Sequence, residues 1–296
     1  PARIVLYIYD NLCTLISDIG GIKMIVGGIS VYTAVMMYVL LVGIVILVKR
    51  GCRVSLVKKN LIVLLFGAAF VMLVIFRTDK GFRLDMLYVG QGDGIYIRTD
   101  MRHDIFIDGG STSEESVGKY AILPFLKYHG VRSVEYWFVS HTDEDHISGI
   151  YEVLESGYRI NNLIFAEGFE SQEACVQLSD LAKRNKTRVL FMSEGDEITY
   201  GDTRIEVLSP EPRENSSDGT LPPSGQSASG FDVNENSLVL RVRCGDFCGL
   251  FGGDIGAETE RMLTAKYDLS DVNFYKCDHH GSKNSSDMSF LEEMNP

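Results

Sequence analysis

The stretch SHTDEDHISG, residues 140–149, decides how the rest of the chain is interpreted. Two histidines, two aspartates and a glutamate fall within the six positions 141–146. An apolar run typical of a buried strand precedes them, and a predicted helix from about Asp145 to Ser156 follows. Imidazole and carboxylate groups together suit Zn²⁺, Mn²⁺ or Fe, so the stretch indicates a metal site. The alternative is a polar helix start, in which aspartates at the N-cap and first turn offset the helix dipole.

Other potential metal ligands stand at the ends of predicted strands. Asp108 follows IFI, Asp254 follows LFGG, and the pair His279 and His280 follows FYKCD. Side chains at strand ends converge along one edge of a sheet, where a rigid scaffold can aim distant residues at a common point. A bridging carboxylate such as Asp254 can hold two ions about 3.5 to 4 Å apart. The pattern therefore predicts a site for one or two divalent ions, Zn²⁺ or Mn²⁺.

The pattern after residue 81 predicts an α/β fold. Short runs rich in β-branched residues alternate with turn signals, and LDMLYV, GIYIRT and DIFIDGG are expected to form consecutive antiparallel strands. Sets of strands are followed by helices, which favours an α/β sandwich over a doubly wound parallel sheet. We expect the glycines of VGQGDG, residues 89–94, to make a tight hairpin that Asp93 caps. Residues 211–235 are rich in Ser, Gly and Pro and are predicted to form a long loop.

The first part of the chain is mostly apolar, and most of its few charged residues are basic. Residues 24–48 contain no charge, and residues 61–76 form a second uncharged run. Both are close to the roughly 20 apolar residues that a membrane-spanning helix needs, although a buried helix of a soluble protein is the alternative. The intervening residues 49–60 hold five Lys or Arg and no acid. The positive-inside rule then places this loop in the cytoplasm and the domain after it outside.

The second part of the chain is strongly acidic, in contrast to the apolar first part. From Arg77 onward there are 21 basic and 38 acidic residues, a net charge of −17. Nucleic-acid binders are normally basic, so this charge opposes nucleic-acid binding. The six cysteines show no regular spacing, which indicates neither a zinc knuckle nor a disulfide framework. We divide the chain into a membrane region, residues 1–80, and a second domain, residues 81–296.

Several separate motifs carry a resemblance to known families. HTDEDHISG resembles the metal-binding motif of the metallo-β-lactamase superfamily, in the version with Asp where most members have the second His. The wider frame resembles the ComEC family, the membrane channel of bacterial DNA uptake in natural competence, over about residues 82–296. Its elements are, in order, LYVGQGDGIYI, IFIDGG, VSHTDEDHISG, NSLVLRV, FGGDI and CDHHGSKNSS. The resemblance implies a metallo-β-lactamase-type αββα sandwich, truncated at its C-terminus and preceded by transmembrane helices.

Carried over position by position, the resemblance implies a set of site residues. The implied metal ligands are His141, Asp143, Asp145, His146, Asp254 and one histidine of the HHGS motif, with His280 favoured over His279. Asp108 would support the site from behind, and Asn236 occupies the place where many members of the superfamily have a third histidine. Asp145 or Asp143 would orient or deprotonate the attacking water. Ser282 and Lys283 would contact a phosphate, or else belong to a solvated loop.

The implied function is that of a metal-dependent phosphodiesterase that cuts DNA outside the cell membrane. Its partners would be DNA, the membrane, the remainder of the channel chain and other parts of a DNA-uptake machinery. The protein would be a multi-pass plasma-membrane protein with the hydrolase domain on the extracytoplasmic side. Two alternatives are a catalytically silent module that gates or docks onto the channel, and a hydrolase of the same fold with a small-molecule substrate.

Overall fold

Two compact units make up the computed structural model. It describes residues 2–18, 25–49, 60–68, 81–212, 231–294 and 296. The first unit comprises Pro1–Thr78 together with Leu126–Arg132, and the second comprises Asp79–Phe125 together with Ser133–Pro296. The candidate site residues all belong to the second unit.

Helices form the described part of the first unit. They are α1 (Ala2–Asp18), α2 (Val31–Lys49) and α3 (60–68). Ser30 precedes α2, and its Oγ accepts a hydrogen bond from the Thr33 backbone N–H at 3.1 Å, the usual arrangement at a helix N-terminus. Within the described ranges, the structure has no helix with both the length and the apolar character that a membrane crossing requires.

The two predicted membrane spans are only partly covered by the structure. The predicted span 24–48 overlaps α2, and the predicted span 61–76 overlaps α3. Residue 24, residues 69–76 and most of the basic loop, 50–59, lie outside the described residues. Both spans therefore stay predictions.

The second unit contains a six-stranded sheet in which neighbours in sequence are neighbours in space. Its strands run in the order β1 to β6. The first three pair antiparallel, which confirms the three consecutive antiparallel strands expected from the sequence, and β3 to β6 pair parallel. The strands are β1 (Arg83–Met86), β2 (Ile95–Arg98), β3 (Asp104–Ile107), β4 (Val134–Val139), β5 (Ile160–Ala166) and β6 (Arg188–Met192).

A five-stranded sheet follows in the order β11-β10-β9-β8-β7. Its pairs are antiparallel except for β10 and β11, which are parallel. The strands are β7 (Glu197–Tyr200), β8 (Thr203–Ser209), β9 (Val239–Cys244), β10 (Phe247–Phe251) and β11 (Phe274–Lys276). Residues 213–230 of the predicted long loop between β8 and β9 lie outside the described residues.

Helices accompany both sheets. A π-helical turn at Gly118–Ile122 leads into α4 (Leu123–Tyr128), and α5 (Glu144–Glu155) and α6 (Glu173–Arg184) follow β4 and β5. The α5 range agrees with the predicted helix to within one residue at each end. With the second sheet come α7 (Ala257–Lys266) and α8 (Met288–Met294).

The two sheets face one another, and helices cover their outer faces. Val239, Cys248 and Leu250 pack in one buried cluster with residues of α7 and α8. The opposite face of β10 carries Phe247, whose ring lies 4.7 Å from that of Phe82, beside the first sheet. The alternation of faces along a strand makes this two-sided packing possible. The expected α/β sandwich is thus confirmed as a mixed α/β fold with two sheets.

Parallel pairing explains where the site lies. Because β3 and β4 are parallel neighbours, the residues that follow them, Asp108 and Ser140, are brought side by side. In the same way the pairing of β10 with β11 brings the residues after Phe251 next to those after Lys276. Leu238 then donates its backbone N–H to the Ser140 carbonyl at 2.8 Å, which joins the two sheets at this edge.

Candidate metal centre

Four side chains from different parts of the chain converge at this edge. Asp93, His146, Asp254 and His280 each offer a ligand atom, and these atoms all lie within 4.8 Å of one another. We call them the four-residue group. All are buried except His280, whose side chain is 17% exposed. Nε2 of His146, Nε2 of His280 and Oδ1 of Asp254 are buried atoms without a hydrogen-bond partner. Imidazole nitrogens and carboxylate oxygens left in this state are a donor set that fits a divalent cation.

Asp108 sets the orientation of His146 from behind. It is 1% exposed and adopts a left-handed backbone conformation, with a φ of 55°. Its Oδ2 lies 3.0 Å from Nδ1 of His146, and its Oδ1 accepts the Ser140 backbone N–H at 2.7 Å. Because a carboxylate can only accept, Nδ1 of His146 carries the proton, and Nε2 is the atom that faces Asp254 at 3.3 Å.

The hydroxyl of Ser140 orients His141, as the Asp108 carboxylate orients His146. Ser140 Oγ donates to Asp108 Oδ2 at 2.8 Å and lies 3.0 Å from Nδ1 of His141. Since its single proton goes to the carboxylate, the hydroxyl accepts from Nδ1 of His141. Nε2 of His141 is then a free acceptor, buried and without a hydrogen-bond partner.

His280 and Asp145 complete the group on the opposite side from Asp108. Nε2 of His280 lies 3.3 Å from Asp145 Oδ2 and 3.5 Å from Asp254 Oδ2. Asp145 belongs to the first turn of α5, one residue before His146. The α5 N-terminus is held against the glycine loop, because Asp93 donates its N–H to the Asp145 carbonyl at 3.1 Å. A Cβ on Gly92 would stand 2.4 Å from the Gly110 carbonyl oxygen, so this close approach requires glycine.

The remaining implied ligands lie on the His141 side. Asp143 Oδ2 is 3.7 Å from Nε2 of His141, and the Asp143 side chain is 56% exposed. Asn236 lies in the turn before Leu238 and donates its side-chain N–H to the Asp232 carbonyl at 2.7 Å. The structure thus brings His141 and Asp143 together but gives the His141 side fewer charged ligands than the four-residue group.

The two histidines of HHGS differ in exposure and in their distances to the neighbouring carboxylates. His279 and His280 both have positive φ, 49° and 52°, which turns the loop sharply after β11. His280 is directed into the group, whereas His279 is 36% exposed with its Nε2 3.9 Å from Asp254 Oδ2. Ser282 and Lys283 follow in the same loop; Lys283 is exposed, and Ser282 donates its backbone N–H to the His279 carbonyl at 2.8 Å. Their contact with a phosphate stays a prediction.

Two members of the site were not identified from the sequence. Asp93 was expected only to cap a tight hairpin; its side chain is 7% exposed and lies within the four-residue group. Lys276, the last residue of β11, is 4% exposed, with Nζ 2.5 Å from Asp93 Oδ2. A lysine within the short apolar run before CDHHGS was the available signal, because buried lysines are almost always paired.

The acid–base properties of the centre follow from its burial and its carboxylates. Burial disfavours the charged form of His146, but Asp108 and Asp254 outweigh it and raise the pKa of His146 to about 10. Burial, together with the neighbouring His146, lowers the pKa of His141 to about 3. For Asp254, burial is outweighed by its bonds to His146 and by Lys276, and its pKa lies well below the ordinary value.

The pKa values of Asp143 and Asp145, at the α5 N-terminus, are shifted in opposite directions. The His280 imidazole beside Asp145 lowers the pKa of Asp145. Burial and the neighbouring Asp145 raise the pKa of Asp143. At neutral pH Asp145 is therefore firmly ionised, while Asp143 is the more basic carboxylate.

Three bacterial proteins are similar in sequence to this chain. No family model matches the chain. ComE operon protein 3 of Bacillus subtilis is 26% identical over 226 residues, 72% of this chain and 27% of that protein. The chain is a homologue of bacterial competence proteins. Competence protein ComA of Neisseria gonorrhoeae is 29% identical over 214 residues, 70% of this chain and 25% of that protein. Recombination protein 2 of Haemophilus influenzae is 24% identical over 230 residues, 77% of this chain and 25% of that protein.

The chain spans about a quarter of the length of these competence relatives. Solved structures that match include the metallo-β-lactamase fold protein YhfI of Bacillus subtilis, 16% identical with a TM-score of 0.35 over 56% of each chain. Another is CmlA, a diiron β-hydroxylase from Streptomyces venezuelae, 12% identical with a TM-score of 0.38. That match covers 82% of this chain and 49% of CmlA.

Proposed function

We propose that residues 81–296 form a metal-dependent phosphodiesterase domain that cuts DNA as part of a DNA-uptake channel. The observation that carries the proposal is the four-residue group, in which buried imidazole nitrogens and a carboxylate oxygen converge without hydrogen-bond partners. Homology to competence proteins over about 70% of the chain supports DNA as the substrate. The competence relatives also support the machinery of DNA uptake as the setting.

His146, Asp254, His280 and Asp145 are the residues that would hold an ion at this group. His141 and Asp143 would hold a second ion. When bound, such ions neutralise phosphate oxygens and make water more acidic.

The chain's own residues would then divide the remaining work. Asp108 and Ser140 fix the two imidazoles so that Nε2 of each points into the site. Asp145, ionised and next to His280, suits a ligand role. Asp143 is both more basic and half exposed, which makes it the better group to accept a proton from the attacking water. Ser282 and Lys283, in the loop at the mouth of the site, would contact the phosphate as donor and point charge.

The surroundings of the domain are proposed on the sequence pattern. Residues 1–80 would form a multi-pass region of the plasma membrane, with the basic loop 49–60 in the cytoplasm. The hydrolase domain would then lie on the extracytoplasmic side. Its partners would be incoming DNA, the remainder of the channel chain and other components of uptake.

One observation favours a second candidate, a silent gating or docking module. The net charge of −17 from Arg77 onward repels DNA unless bound ions offset it. A single strand delivered through a channel needs less surface affinity than DNA captured from solution. The nuclease is therefore the function that the site supports better, and the charge makes its ions essential.

The test is metal-dependent cleavage of labelled single- and double-stranded DNA by the purified chain loaded with Mn²⁺ or Zn²⁺. His146→Ala and Asp254→Ala should abolish cutting, whereas Asp180→Asn, which alters an exposed carboxylate of α6, should not. A small phosphodiester, bis(p-nitrophenyl) phosphate, runs in parallel. Cutting of the small diester alone would support a small-molecule hydrolase, and no cutting with full metal occupancy would support the silent module.

A further inference from the structure

A lysine ammonium lies inside the candidate metal centre. Lys276 is 4% exposed, and its Nζ donates to the Gly253 carbonyl at 3.0 Å. The same Nζ lies 2.5 Å from Asp93 Oδ2 and 3.7 Å from Asp254 Oδ1. The lysine therefore touches one carboxylate of the four-residue group directly and approaches a second.

Burial makes this charge strongly felt. Both side chains of the Lys276–Asp93 pair are less than 10% exposed, so little solvent screens them. A purely structural role, joining loop 89–94 to β11, would not require the Lys276–Asp93 pair to lie beside Asp254. An ammonium at this position would compete with a divalent ion for the same oxygens and would repel that ion at close range.

The two oxygens of Asp93 show what this competition does. Oδ2 is the oxygen that contacts Lys276, and Oδ1 is 3.8 Å from Nδ1 of His280. The inner oxygen of Asp93 thus already has a cation, although Asp93 lies as close to the group as the histidines do. The same ammonium approaches Asp254 less closely, at 3.7 Å from its Oδ1.

We propose that Lys276 is a positioning residue that withholds Asp93 from the metal. The ion is then held by His146, Asp254 and His280 together with Asp145, and the Lys276–Asp93 pair restrains its affinity. This inference rests on the proposed metal centre. An ion with one anionic ligand fewer keeps more of its positive charge for a phosphate, which is the use of such a restraint.

The test is a double-mutant cycle on the full chain, with Mn²⁺ affinity measured by calorimetry and by the electron paramagnetic resonance of the free ion. Lys276→Met frees Asp93 and should tighten Mn²⁺ binding by about tenfold. Asp93→Asn leaves the buried ammonium unpaired and should weaken binding by about tenfold. The double variant removes the pair as a unit and should return to nearly the original affinity. Circular dichroism verifies the fold of each variant.

Three results would overturn the inference. Equal weakening in Asp93→Asn and in the double variant would make Asp93 a metal ligand. An unchanged or lower affinity in folded Lys276→Met would make the lysine structural only. If the unsubstituted chain bound no Mn²⁺, the metal centre would fail together with this inference, whereas binding unaffected by the substitutions would reject the inference alone.

A second measurement needs no variant. In crystals of the Mn²⁺-loaded chain, anomalous scattering locates the ion. Both oxygens of Asp93 should lie beyond the roughly 2.0–2.6 Å of a metal–oxygen bond. An ion within that distance of Asp93 would reject the inference.

Discussion

Asp108 Oδ2 lies 3.0 Å from Nδ1 of His146, and the opposite nitrogen of that imidazole faces Asp254. The contact with Asp108 therefore leaves Nε2 as the atom of His146 that is available to a ligand. The same carboxylate also accepts both the N–H and the hydroxyl of Ser140, which orients His141. Both histidines of the HTDEDH stretch thus depend on a residue that lies far from them in sequence.

Asp108→Asn should weaken Mn²⁺ or Zn²⁺ binding by about 10- to 100-fold while the chain remains folded. The amide can offer its N–H side to the imidazole, which destabilises the orientation that leaves Nε2 free. Calorimetric titration measures the affinity. Asp180→Asn, the exposed counterpart on α6, should leave it unchanged. Equal affinities for Asp108→Asn and the unsubstituted chain would contradict the orienting role.

Metal binding should release about one proton from His146. Its folded pKa of about 10 lies above its ordinary value, so between about pH 7 and 9 the metal-free imidazole carries the proton that an ion must displace. Affinity should then rise about tenfold per pH unit and level off near pH 10. Calorimetry in buffers of different ionisation enthalpy counts the proton, and a pH-independent affinity would contradict the assignment.

The raised pKa of His146 also makes the stability of the metal-free fold depend on pH. Because the folded pKa of His146 is raised, its contribution to stability is complete below the ordinary value of 6.5 and is lost as pH approaches 10. The lowered pKa values of Asp108 and Asp254 act in the opposite direction, since their contribution is lost on acidification below about pH 4. Burial lowers the pKa of His141 to about 3, so the contribution of His141 is also lost as pH falls below 6.5. Together these groups should make the metal-free chain most stable near pH 6.5, which thermal unfolding across pH measures.

Divalent ions should stabilise the folded chain. Carboxylates and buried nitrogens meet at the centre without partners, and an ion that binds only the folded state contributes about 2.7 kcal/mol at 100 times its dissociation constant. Mn²⁺ should raise the melting temperature and EDTA should reverse the rise. Mn²⁺ should have no such effect on Asp254→Ala, and stabilisation of that variant to the same extent would place the ion elsewhere.

The loop that carries His280 should depend on Glu260. This residue of α7 is fully buried, and its carboxylate accepts the backbone N–H groups of Ser286 and Asp287, each at 2.6 Å. Glu260→Ala should destabilise the domain by about 3 kcal/mol, because two hydrogen bonds to a charged group are lost. Urea unfolding measures the change. Glu258→Ala, an exposed residue of the same helix, should cost well under half as much, and equal losses would contradict this role.

Much of the fold and part of the site followed from local sequence. Strand and helix positions were predictable because β-branched runs, turn residues and the 3.6-residue period are short-range signals. The convergence of His146 and Asp254 was predictable because HTDEDH and Asp254 each follow a predicted strand. The choice between His279 and His280 rests on which imidazole the folded loop directs toward Asp145 and Asp254, and no local side-chain pattern encodes that direction.

The pair of Lys276 and Asp93 shows what local sequence does not contain. Each residue has an ordinary local interpretation, as a strand-end lysine and a turn aspartate. Their roles arise only when the two sheets meet, through a contact between residues far apart in the chain. Sequence spacing carries no information on such a contact.

The four-residue group is assembled from two sequence regions that are made at different times. A ribosome that has finished β8 has delivered Asp93 and His146, but neither Asp254 nor His280. The centre is complete only after β11 has been synthesised and has joined β10. The proposed activity is therefore withheld until His280 has been synthesised, and a product terminated before His280 would lack it.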